Sequence, residues 1–300
     1  MGLRVLSLFD DISCGMQAFK ELGIPIDVYY ASEIDKNAIK VATSNHPEIT
    51  EIGDVTQINF KEYVGKVDII IGGSPCQGFS VSGKQMAFKD ERSALIKYFF
   101  EAVKVIRPKY FFLENVVMQK RYEHYIDGVL GVKAIRINSA LVSPQQRVRL
   151  YWTNIPNVTQ PQQIPNLNIE NTIGYEYSKE TFPEGEFHLT HPHNQVDYAD
   201  RCLILGYTGD KNNQSTRVYS SKGKHGTLSL YLRFRFLIGE DIRRLTAEGE
   251  EIMQGLPIGY TVYVGEGGQR KRTPLIGNSW CIPVIKHIFS FIPKEDFDET

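Results

Sequence analysis

The sequence predicts an α/β protein with a doubly wound, mostly parallel sheet. Short apolar segments typical of buried strands alternate with amphipathic segments of helical period. The strand segments are residues 3–9, 27–32, 67–71, 110–113, 132–138 and 150–153, and the helix segments are residues 16–22, 37–45 and 92–106. Strands that alternate with helices at this spacing favour parallel pairing, because each helix returns the chain to the same end of the sheet.

The composition is that of an ordinary globular protein. Of 300 residues, 42% are hydrophobic and 23% are charged, which suffices for one large or two modest domains. Neither a leader pattern nor an apolar run of membrane-spanning length is visible, so we expect a cytoplasmic protein without membrane partners. The four cysteines form no Cys-x-x-Cys pair, which indicates reduced thiols rather than disulfides or a metal site.

The character of the chain changes after residue 155. Residues 156–215 are rich in Pro, Asn, Gln and Thr and show little periodicity, which predicts a smaller, loop-rich second domain. A helix over 240–254, ended by Gly255, and an apolar helix over 282–289 are expected beyond it. We therefore predict domains at 1–155 and 156–271, with a C-terminal segment, 272–300, that returns to the first domain.

Cys76 lies in a loop that follows the apolar segment 67–71. Glycines, a proline and hydroxyl residues surround it, which indicates that the strand ends there. Ligands of open α/β sheets bind at the carboxyl ends of the strands, so a thiol in this loop is placed for chemistry. The alternative interpretation is a free cysteine that packs as a small apolar residue.

Basic and aromatic residues interleave between residues 211 and 239, where Asp and Glu are absent. The net charge of the chain is only -1, so an argument for a polyanionic partner depends on such local clusters. Basic side chains among aromatics suit a surface that follows phosphates, although core aromatics alternating with solvated arginines would give the same pattern. The candidate residues are Arg217, Lys222, Lys224, Arg233 and Arg235.

Several short motifs follow one another in a distinctive order. They are Ser-Leu-Phe-Asp at 7–10, Glu33, Asp54, Pro-Cys-Gln at 75–77, Glu-Asn-Val at 114–116, Gln-Gln-Arg-Val-Arg at 145–149 and Gly-Asn-Ser at 277–279. In these motifs and their order the chain resembles the cytosine-5 DNA methyltransferases, nearly end to end except for residues 156–240. The motif segments are especially similar to animal de novo methyltransferases, whereas the compact loop 78–84 is similar to bacterial and phage enzymes, which implies a prokaryotic or phage origin.

The resemblance implies methyl transfer to carbon 5 of a flipped-out cytosine in duplex DNA, through a covalent adduct with Cys76. Glu114 matches the residue that supplies a proton or strong hydrogen bond at ring nitrogen 3, for which its pKa would have to be raised. Arg149 matches the arginine that contacts the cytosine carbonyl, and Arg147 the one that helps to hold the cysteine loop and the glutamate in place. Surface salt bridges are the alternative for both arginines.

The implied methyl donor is S-adenosylmethionine, with S-adenosylhomocysteine as product and without a metal. By resemblance Phe9 packs on the adenine, Glu33 binds the ribose hydroxyls and Asp54 binds the adenine amino group. The other residues implied to line this site are Asp10, Ile12, Ile34, Val55, Pro75, Asn278 and Ser279. Asp11 stands where the family has Gly, and we predict that it weakens cofactor binding.

The resemblance also implies how DNA is held. The residues that match phosphate-contacting and base-holding loop positions are Gln77, Ser80, Ser82 and Lys84. The domain at 156–271 would then select the target sequence and contain the hinge, and we expect a monomer that binds double-stranded DNA.

Two other functions compete with this one. A transfer RNA cytosine-5 methyltransferase would have the same fold, but the Cys-Phe-Thr tripeptide that marks that branch is absent from the variable region. A weakly active or non-catalytic DNA-binding homologue would not need Cys76, Glu114, Arg149 and Asn278, all of which are present, whereas Asp11 is compatible with it.

Overall fold

The computed structural model describes residues 1–75, 95–174, 187–190, 202–209, 216–228, 234–265 and 267–297. The chain divides into two compact units. Unit 1 comprises Met1–Ile137, Val148–Gln160 and Val284–Thr300, and unit 2 comprises Asn138–Arg147 and Pro161–Pro283. The domain boundaries that we placed at residues 155 and 271 remain a prediction.

The larger sheet has seven strands and confirms the predicted fold class. Its strands are β1 (Leu3–Leu8), β2 (Ile26–Ser32), β3 (Thr50–Glu51), β4 (Ile69–Gly73), β5 (Tyr110–Val116), β6 (Ile135–Asn138) and β7 (Val148–Thr153). They lie in the order β3-β2-β1-β4-β5-β7-β6. The pairs from β3 to β5 are parallel, and β7 is antiparallel to β5. The order changes direction between β1 and β4, and such a switch point is where open α/β sheets bind ligands.

Buried aliphatic residues dominate β1 and β4, as expected for parallel strands that are covered on both faces. The helices of the chain are α1 (Cys14–Leu22), α2 (Lys36–Asn45), α3 (Ile96–Ile106), α4 (Lys120–Leu130), α5 (Ile169–Thr172), α6 (Ala247–Gln254), α7 (Gln269–Asn278) and α8 (Ile282–Phe289). In unit 1, Phe99 of α3 and Trp152 of β7 belong to one buried apolar cluster. Across the part of the chain that the structure describes, every helix is too short or too polar to cross a membrane.

The smaller sheet belongs to unit 2. Its strands are β8 (Phe187–Leu189), β9 (Ile204–Thr208), β10 (Arg217–Ser220), β11 (Arg235–Ile238) and β12 (Asp241–Arg244), in the order β12-β11-β10-β9-β8. Tyr219 and Phe236 on neighbouring strands pack in a second apolar cluster with Met253 of α6 and Ile276 of α7. Unit 2 therefore has an apolar core of its own.

The helix predicted over 240–254 was wrong over its first seven residues. Residues 241–244 form β12, which pairs antiparallel with β11, and α6 begins only after Thr246, whose hydroxyl accepts the N–H of Gly249. The two strands are joined by Gly239 and Glu240, and Gly239 has a left-handed φ of 62°. A glycine at the first position of a two-residue loop is typical of tight hairpins, so the hairpin overrides the helical propensity of the charged residues.

Candidate active site

Glu114 and Arg149 form an ion pair at one edge of the larger sheet. Glu114 belongs to β5 and Arg149 to the adjacent strand β7. Arg149 Nε lies 2.9 Å from Glu114 Oε1, and the side chains are 14% and 12% exposed, respectively. Arg149 Nε makes no hydrogen bond within the described residues, so the contact with Glu114 is electrostatic, and Arg149 Nη1 donates instead to the carbonyl of Val148 at 2.9 Å. The structure thus brings together two of the four predicted catalytic residues.

Asn115 ties β5 to the segment that leads to Cys76. Its buried Nδ2 donates to the carbonyl of Ser74 at 3.3 Å and to the Ser74 hydroxyl at 3.0 Å. Its Oδ1 accepts the N–H of Val116 at 2.9 Å, which fixes the orientation of the amide. Asn115 therefore anchors the start of the predicted catalytic loop. The sequence signal for this role was an amide side chain directly after Glu114, near the end of an otherwise apolar strand.

Several predicted site residues lie outside the described residues, so their predicted roles stay predictions. They are Cys76, Gln77, Ser80, Ser82, Lys84 and Arg233. Pro75, which precedes this part of the chain, is half-buried.

The turn after β1 has an unusual backbone. Phe9, Asp11 and Ser13 have left-handed φ values of 59°, 53° and 58°. This region is unfavourable for residues other than glycine, at a cost of about 1–2 kcal/mol each. Three such residues in a segment of five require the surrounding contacts to hold the backbone in place.

The carboxylate of Asp10 provides part of that support. Asp10 is buried, and its side chain accepts hydrogen bonds from the hydroxyls of Ser13 and Tyr29, the latter at 2.7 Å. Burial raises the pKa of Asp10 to about 6, although hydrogen bonds from Ser13, Ser7 and Tyr29 act to lower it. Its N–H donates to the carbonyl of Ser32 at 3.1 Å. The resemblance implied that Asp10 lines the cofactor site, whereas its carboxylate binds side chains of the protein itself.

Glu33, immediately after β2, links the turn to the start of α2. Its Oε2 accepts the N–H of Asp11 at 2.9 Å. Its Oε1 accepts the N–H groups of Ile34 at 2.7 Å and Asp35 at 2.9 Å. The side chain of Ile34 is 70% exposed. The carboxylate implied to bind a ribose is therefore held in place by three backbone donors, next to an exposed apolar side chain.

Asp54 begins the short 3₁₀ helix Val55–Gln57, and its Oδ1 accepts the N–H of Thr56 at 2.8 Å. The other apolar residues implied to contact the cofactor differ in exposure. Ile12 and Val55 are buried in unit 1, and Phe9 is half-buried. Of these residues, only Phe9 has substantial surface outside the core in the present structure.

Glu51, at the end of β3, is a further carboxylate in this region. Both of its carboxylate oxygens are shielded from solvent and accept no hydrogen bond from the described residues. Burial, together with the charges of Asp10 and Glu33, raises the pKa of Glu51 to about 7. Three neighbouring strands, β1, β2 and β3, thus have an acidic residue at their end or within two residues after it. Within the described ranges, no three His, Cys, Asp or Glu side chains are arranged to hold a metal ion.

Arg147 is buried within unit 2, where it binds backbone carbonyls. Its Nη1 donates to Leu228 at 3.3 Å and to Gly277 at 3.1 Å, and its Nη2 donates to Ser279 at 3.0 Å. Between the last two carbonyls lies Asn278, the final residue of α7, whose side chain is exposed. Arg147 therefore holds the backbone of a segment implied to bind the cofactor. Its predicted role toward the cysteine loop stays a prediction.

The predicted basic surface is only partly exposed. Lys222 is exposed, and Arg217 and Arg235 are half-buried on β10 and β11. Lys224, in contrast, is 1% exposed, and its Nζ donates to the carbonyl of Ser143 at 3.3 Å. A phosphate contact requires an ammonium group that reaches solvent, so the DNA contact predicted for Lys224 is at odds with its burial.

Arg244, which sequence reasoning missed, lies opposite Arg235 in the β11–β12 pair. Residues directly opposite each other point to the same face of a sheet. Arg235 Nη1 also donates to the hydroxyl of Thr208 at 2.7 Å. The neighbouring Arg243 points to the other face and is ion-paired with Asp241 at 2.6 Å. With residues 240–254 assigned to a helix, the sequence could not place Arg244 beside Arg235.

The sheet order, with acidic residues at or just after the ends of β1, β2 and β3, is that of a class I methyltransferase fold. The structure of the Entamoeba histolytica methyltransferase EhMeth has this fold, with a TM-score of 0.72, 16% identity and full coverage of both chains. A family model described as C-5 cytosine-specific DNA methylase matches residues 3–129. This match covers less than half of the chain.

Two relatives illustrate the similarity in sequence. The orphan methyltransferase M.SPRI of Bacillus phage SPR is 37% identical over 168 residues, which are 51% of this chain and 38% of the phage protein. The type II methyltransferase M.HhaI of Haemophilus parahaemolyticus is 29% identical over 318 residues, which cover 96% of this chain and 93% of the relative. The chain therefore spans well under half of the phage relative but nearly all of the bacterial one.

Proposed function

We propose that this chain transfers a methyl group from S-adenosylmethionine to carbon 5 of cytosine in double-stranded DNA. The observation that carries the proposal is the ion pair of Glu114 and Arg149, which lies beside the anchor from Asn115 to Ser74 in a chain whose residues 3–129 match the cytosine-5 methylase model. The ion pair holds the Glu114 carboxylate next to Arg149, and Ser74 precedes Cys76 by two residues in the sequence. These are the groups that the reaction requires.

The chemistry explains why these residue types are needed. Carbon 5 of cytosine is a poor nucleophile until the Cys76 thiolate adds to carbon 6, which forms an S–C6 bond and moves the ring electron pair to carbon 5. Glu114 holds a proton at ring nitrogen 3, where it offsets the developing charge, and Arg149 keeps Glu114 in position. Carbon 5 would then take the methyl group as the bond between this group and the donor sulfur breaks, which would leave S-adenosylhomocysteine. Water would accept the carbon 5 proton, and the electron pair of that C–H bond would expel the Cys76 thiolate by cleavage of the S–C6 bond. Ring nitrogen 3 would return its proton to Glu114, which restores the aromatic ring.

The donor set around Glu33 fits the cofactor. A carboxylate after the second strand of a nucleotide-binding sheet is suited to a ribose diol, and the Glu33 carboxylate is ordered by three backbone donors. The exposed Ile34 offers an apolar surface for an adenine ring, and Asp54 offers an acceptor for its amino group. S-adenosylmethionine supplies a methyl group on a positively charged sulfur. The cofactor contacts that the resemblance implies for Asn278 and Ser279 stay predictions.

The target base must leave the duplex to reach Cys76, and we assign the loop with Gln77, Ser80, Ser82 and Lys84 to holding it. Backbone phosphates are assigned to Arg217, Lys222, Arg235 and Arg244, and the contact predicted for Arg233, which lies outside the described residues, stays a prediction. In the proposed setting the protein acts as a monomer in the cytoplasm of a prokaryotic or phage-infected cell.

The proposal is tested by methyl transfer and by covalent trapping. Labelled methyl groups from S-adenosylmethionine should appear in plasmid DNA that lacks cytosine methylation, and not in transfer RNA. Duplex DNA synthesised with 5-fluorocytosine in place of cytosine should form a covalent complex with the protein, because fluorine at carbon 5 blocks the final elimination. Such DNA contains every sequence context, so the target sequence need not be known.

Single substitutions test the roles proposed for Cys76 and Glu114. Cys76→Ser should abolish trapping, whereas Cys202→Ser, a cysteine in unit 2, should trap normally. Glu114→Gln should lower the methylation rate by about 10²–10⁴-fold, the usual contribution of a general acid. The exposed Glu101→Gln is its control. Labelling of transfer RNA alone would favour the RNA enzyme, and DNA binding without labelling or trapping would favour the non-catalytic homologue.

The phosphate assignment has its own test, the salt dependence of DNA binding. Each lost phosphate contact should reduce the slope of log K against log salt by about 1. Arg244→Gln should show this reduction. Arg243→Gln should not, because the Arg243 guanidinium is already paired with Asp241 and lies on the other face. Equal slopes for the two variants would remove Arg244 from the interface.

A further inference from the structure

The backbone of residues 9–13 is held in a conformation that its own residues disfavour. Left-handed φ values at Phe9, Asp11 and Ser13 oppose the preference of L-amino acids, and only a glycine would take them without cost. A substantial free-energy penalty must therefore be offset by contacts around the turn, or the turn would relax.

The offsetting contacts converge on two carboxylates. Asp10 is buried and accepts the hydroxyls of Ser13 and Tyr29. Glu33 accepts the N–H of Asp11, the central residue of the turn. The Asp10 carboxylate thus fixes the inner side of the turn. The Glu33 carboxylate holds the peptide backbone of the turn, and Glu33 is also the residue proposed to bind the cofactor ribose.

Tyr29 has the decisive position in this arrangement. It is a buried residue of β2, and its hydroxyl reaches Asp10 at 2.7 Å from the strand that ends just before Glu33. Hydrogen bonds to a charged acceptor are stronger than those between neutral groups. Tyr29 does not itself reach the turn surface. Its effect on ligand binding must pass through Asp10.

We propose that Tyr29, Asp10 and Ser13 form a positioning unit that takes the place of glycine in the cofactor turn, by locking L-residues in left-handed backbone conformations. This inference rests on the proposed function, because it treats the turn as part of the S-adenosylmethionine site. Asp10 and Tyr29 are positioning residues: they set the geometry of the turn and of Glu33, and they make no contact with the cofactor.

The test measures cofactor affinity rather than turnover. Tyr29→Phe removes one hydroxyl and should raise the Kd of both S-adenosylmethionine and S-adenosylhomocysteine about tenfold in titration calorimetry. Tyr30→Phe is the matched control, because Tyr30 is the next residue of the strand and its ring packs edge-to-face on Tyr63 at 5.1 Å. Its Kd values should equal those of the wild type. At saturating cofactor, the methylation rate of Tyr29→Phe should be nearly normal.

A double-mutant cycle separates positioning from mere stabilisation. If the unit holds Asp11 in the left-handed region, Asp11→Gly should rescue affinity in the Tyr29→Phe background by a larger factor than it improves the wild type. Additive effects would overturn the proposal, as would a lowered melting temperature of Tyr29→Phe with unchanged Kd. Should Tyr29→Phe fail to fold, Ser13→Ala takes its place in the same cycle.

The outcomes also distinguish this inference from the proposed function. A wild-type chain that binds neither S-adenosylmethionine nor S-adenosylhomocysteine would contradict the proposed function. A wild-type chain that binds both, alongside a Tyr29→Phe variant with the same Kd values, would contradict only the positioning role.

Discussion

Replacing Arg147 by methionine should destabilise the protein substantially, because the Arg147 guanidinium donates to backbone carbonyls in a buried site. The guanidinium donates to three carbonyls in unit 2, at 3.3, 3.1 and 3.0 Å. Each hydrogen bond contributes about 1 kcal/mol net, so Arg147→Met should lose about 3 kcal/mol of unfolding free energy. The loss should not be smaller, because the three carbonyls would be left unsatisfied in a buried site. Arg147→Lys can retain one donor to one carbonyl, so we expect about 2 kcal/mol for it.

Thermal unfolding measures this difference. At roughly 2–4 °C for each kcal/mol in a chain of this size, Arg147→Met should melt about 6–12 °C below the wild type. Arg136→Met is the control, because Arg136 is exposed on β6, and its midpoint should change little. The Kd of S-adenosylmethionine should also rise for Arg147→Met, since the carbonyls of Gly277 and Ser279 lose their donor. A midpoint equal to that of the control variant would refute the reasoning.

Three further substitutions have defined outcomes. Asn115→Leu removes both bonds to Ser74 and should slow covalent trapping on 5-fluorocytosine DNA about tenfold or more without changing the cofactor Kd; trapping at the wild-type rate would contradict the anchor. Asp11→Gly should tighten cofactor binding, and calorimetry that shows unchanged or weaker binding would refute that view of Asp11. Glu51→Gln should abolish part of the pH dependence of stability: a carboxyl whose pKa is raised to about 7 costs stability as pH rises from about 4.5 to 7. Solvent screening limits this cost to about 1 kcal/mol. The free energy of unfolding in urea should therefore change between pH 5 and pH 8 by about 1 kcal/mol less for Glu51→Gln than for the wild type. An equal change for the two proteins would disprove the prediction.

Much of the fold follows from the sequence because its strands carry strong local signals. The aliphatic segments that became β1 and β4 are buried on both faces, so their composition alone marks them as central parallel strands. The hairpin of β11 and β12 has no such signal. Its second strand, Asp-Ile-Arg-Arg, is as compatible with a helix as with a strand, and only pairing with β11 decides between them.

The residues of the candidate site also differ in how well the sequence predicts them. Glu114 and Arg149 could be predicted from motifs, because reactive groups occur at recognisable spacings. Tyr29 and Asn115 could not be given roles, since each acts through hydrogen bonds to a residue distant in sequence. Lys224 shows the reverse error. A lysine between glycine and histidine in a basic segment suggests an exposed surface, whereas tertiary packing buries its ammonium group against a carbonyl.

The reversed direction of β7 decides how far apart the two charged groups of the ion pair can be. β5 runs toward the reactive edge and reaches it with Glu114 near its carboxyl end, whereas β7 starts at that edge, so Arg149 arrives near its amino end. Had β7 run parallel to β5, Arg149 would lie near the opposite rim, a strand length of roughly 15–20 Å away. Because β7 is antiparallel to β5, the Glu114 carboxylate and the Arg149 guanidinium, which come from opposite ends of their strands, meet at the same edge of the sheet.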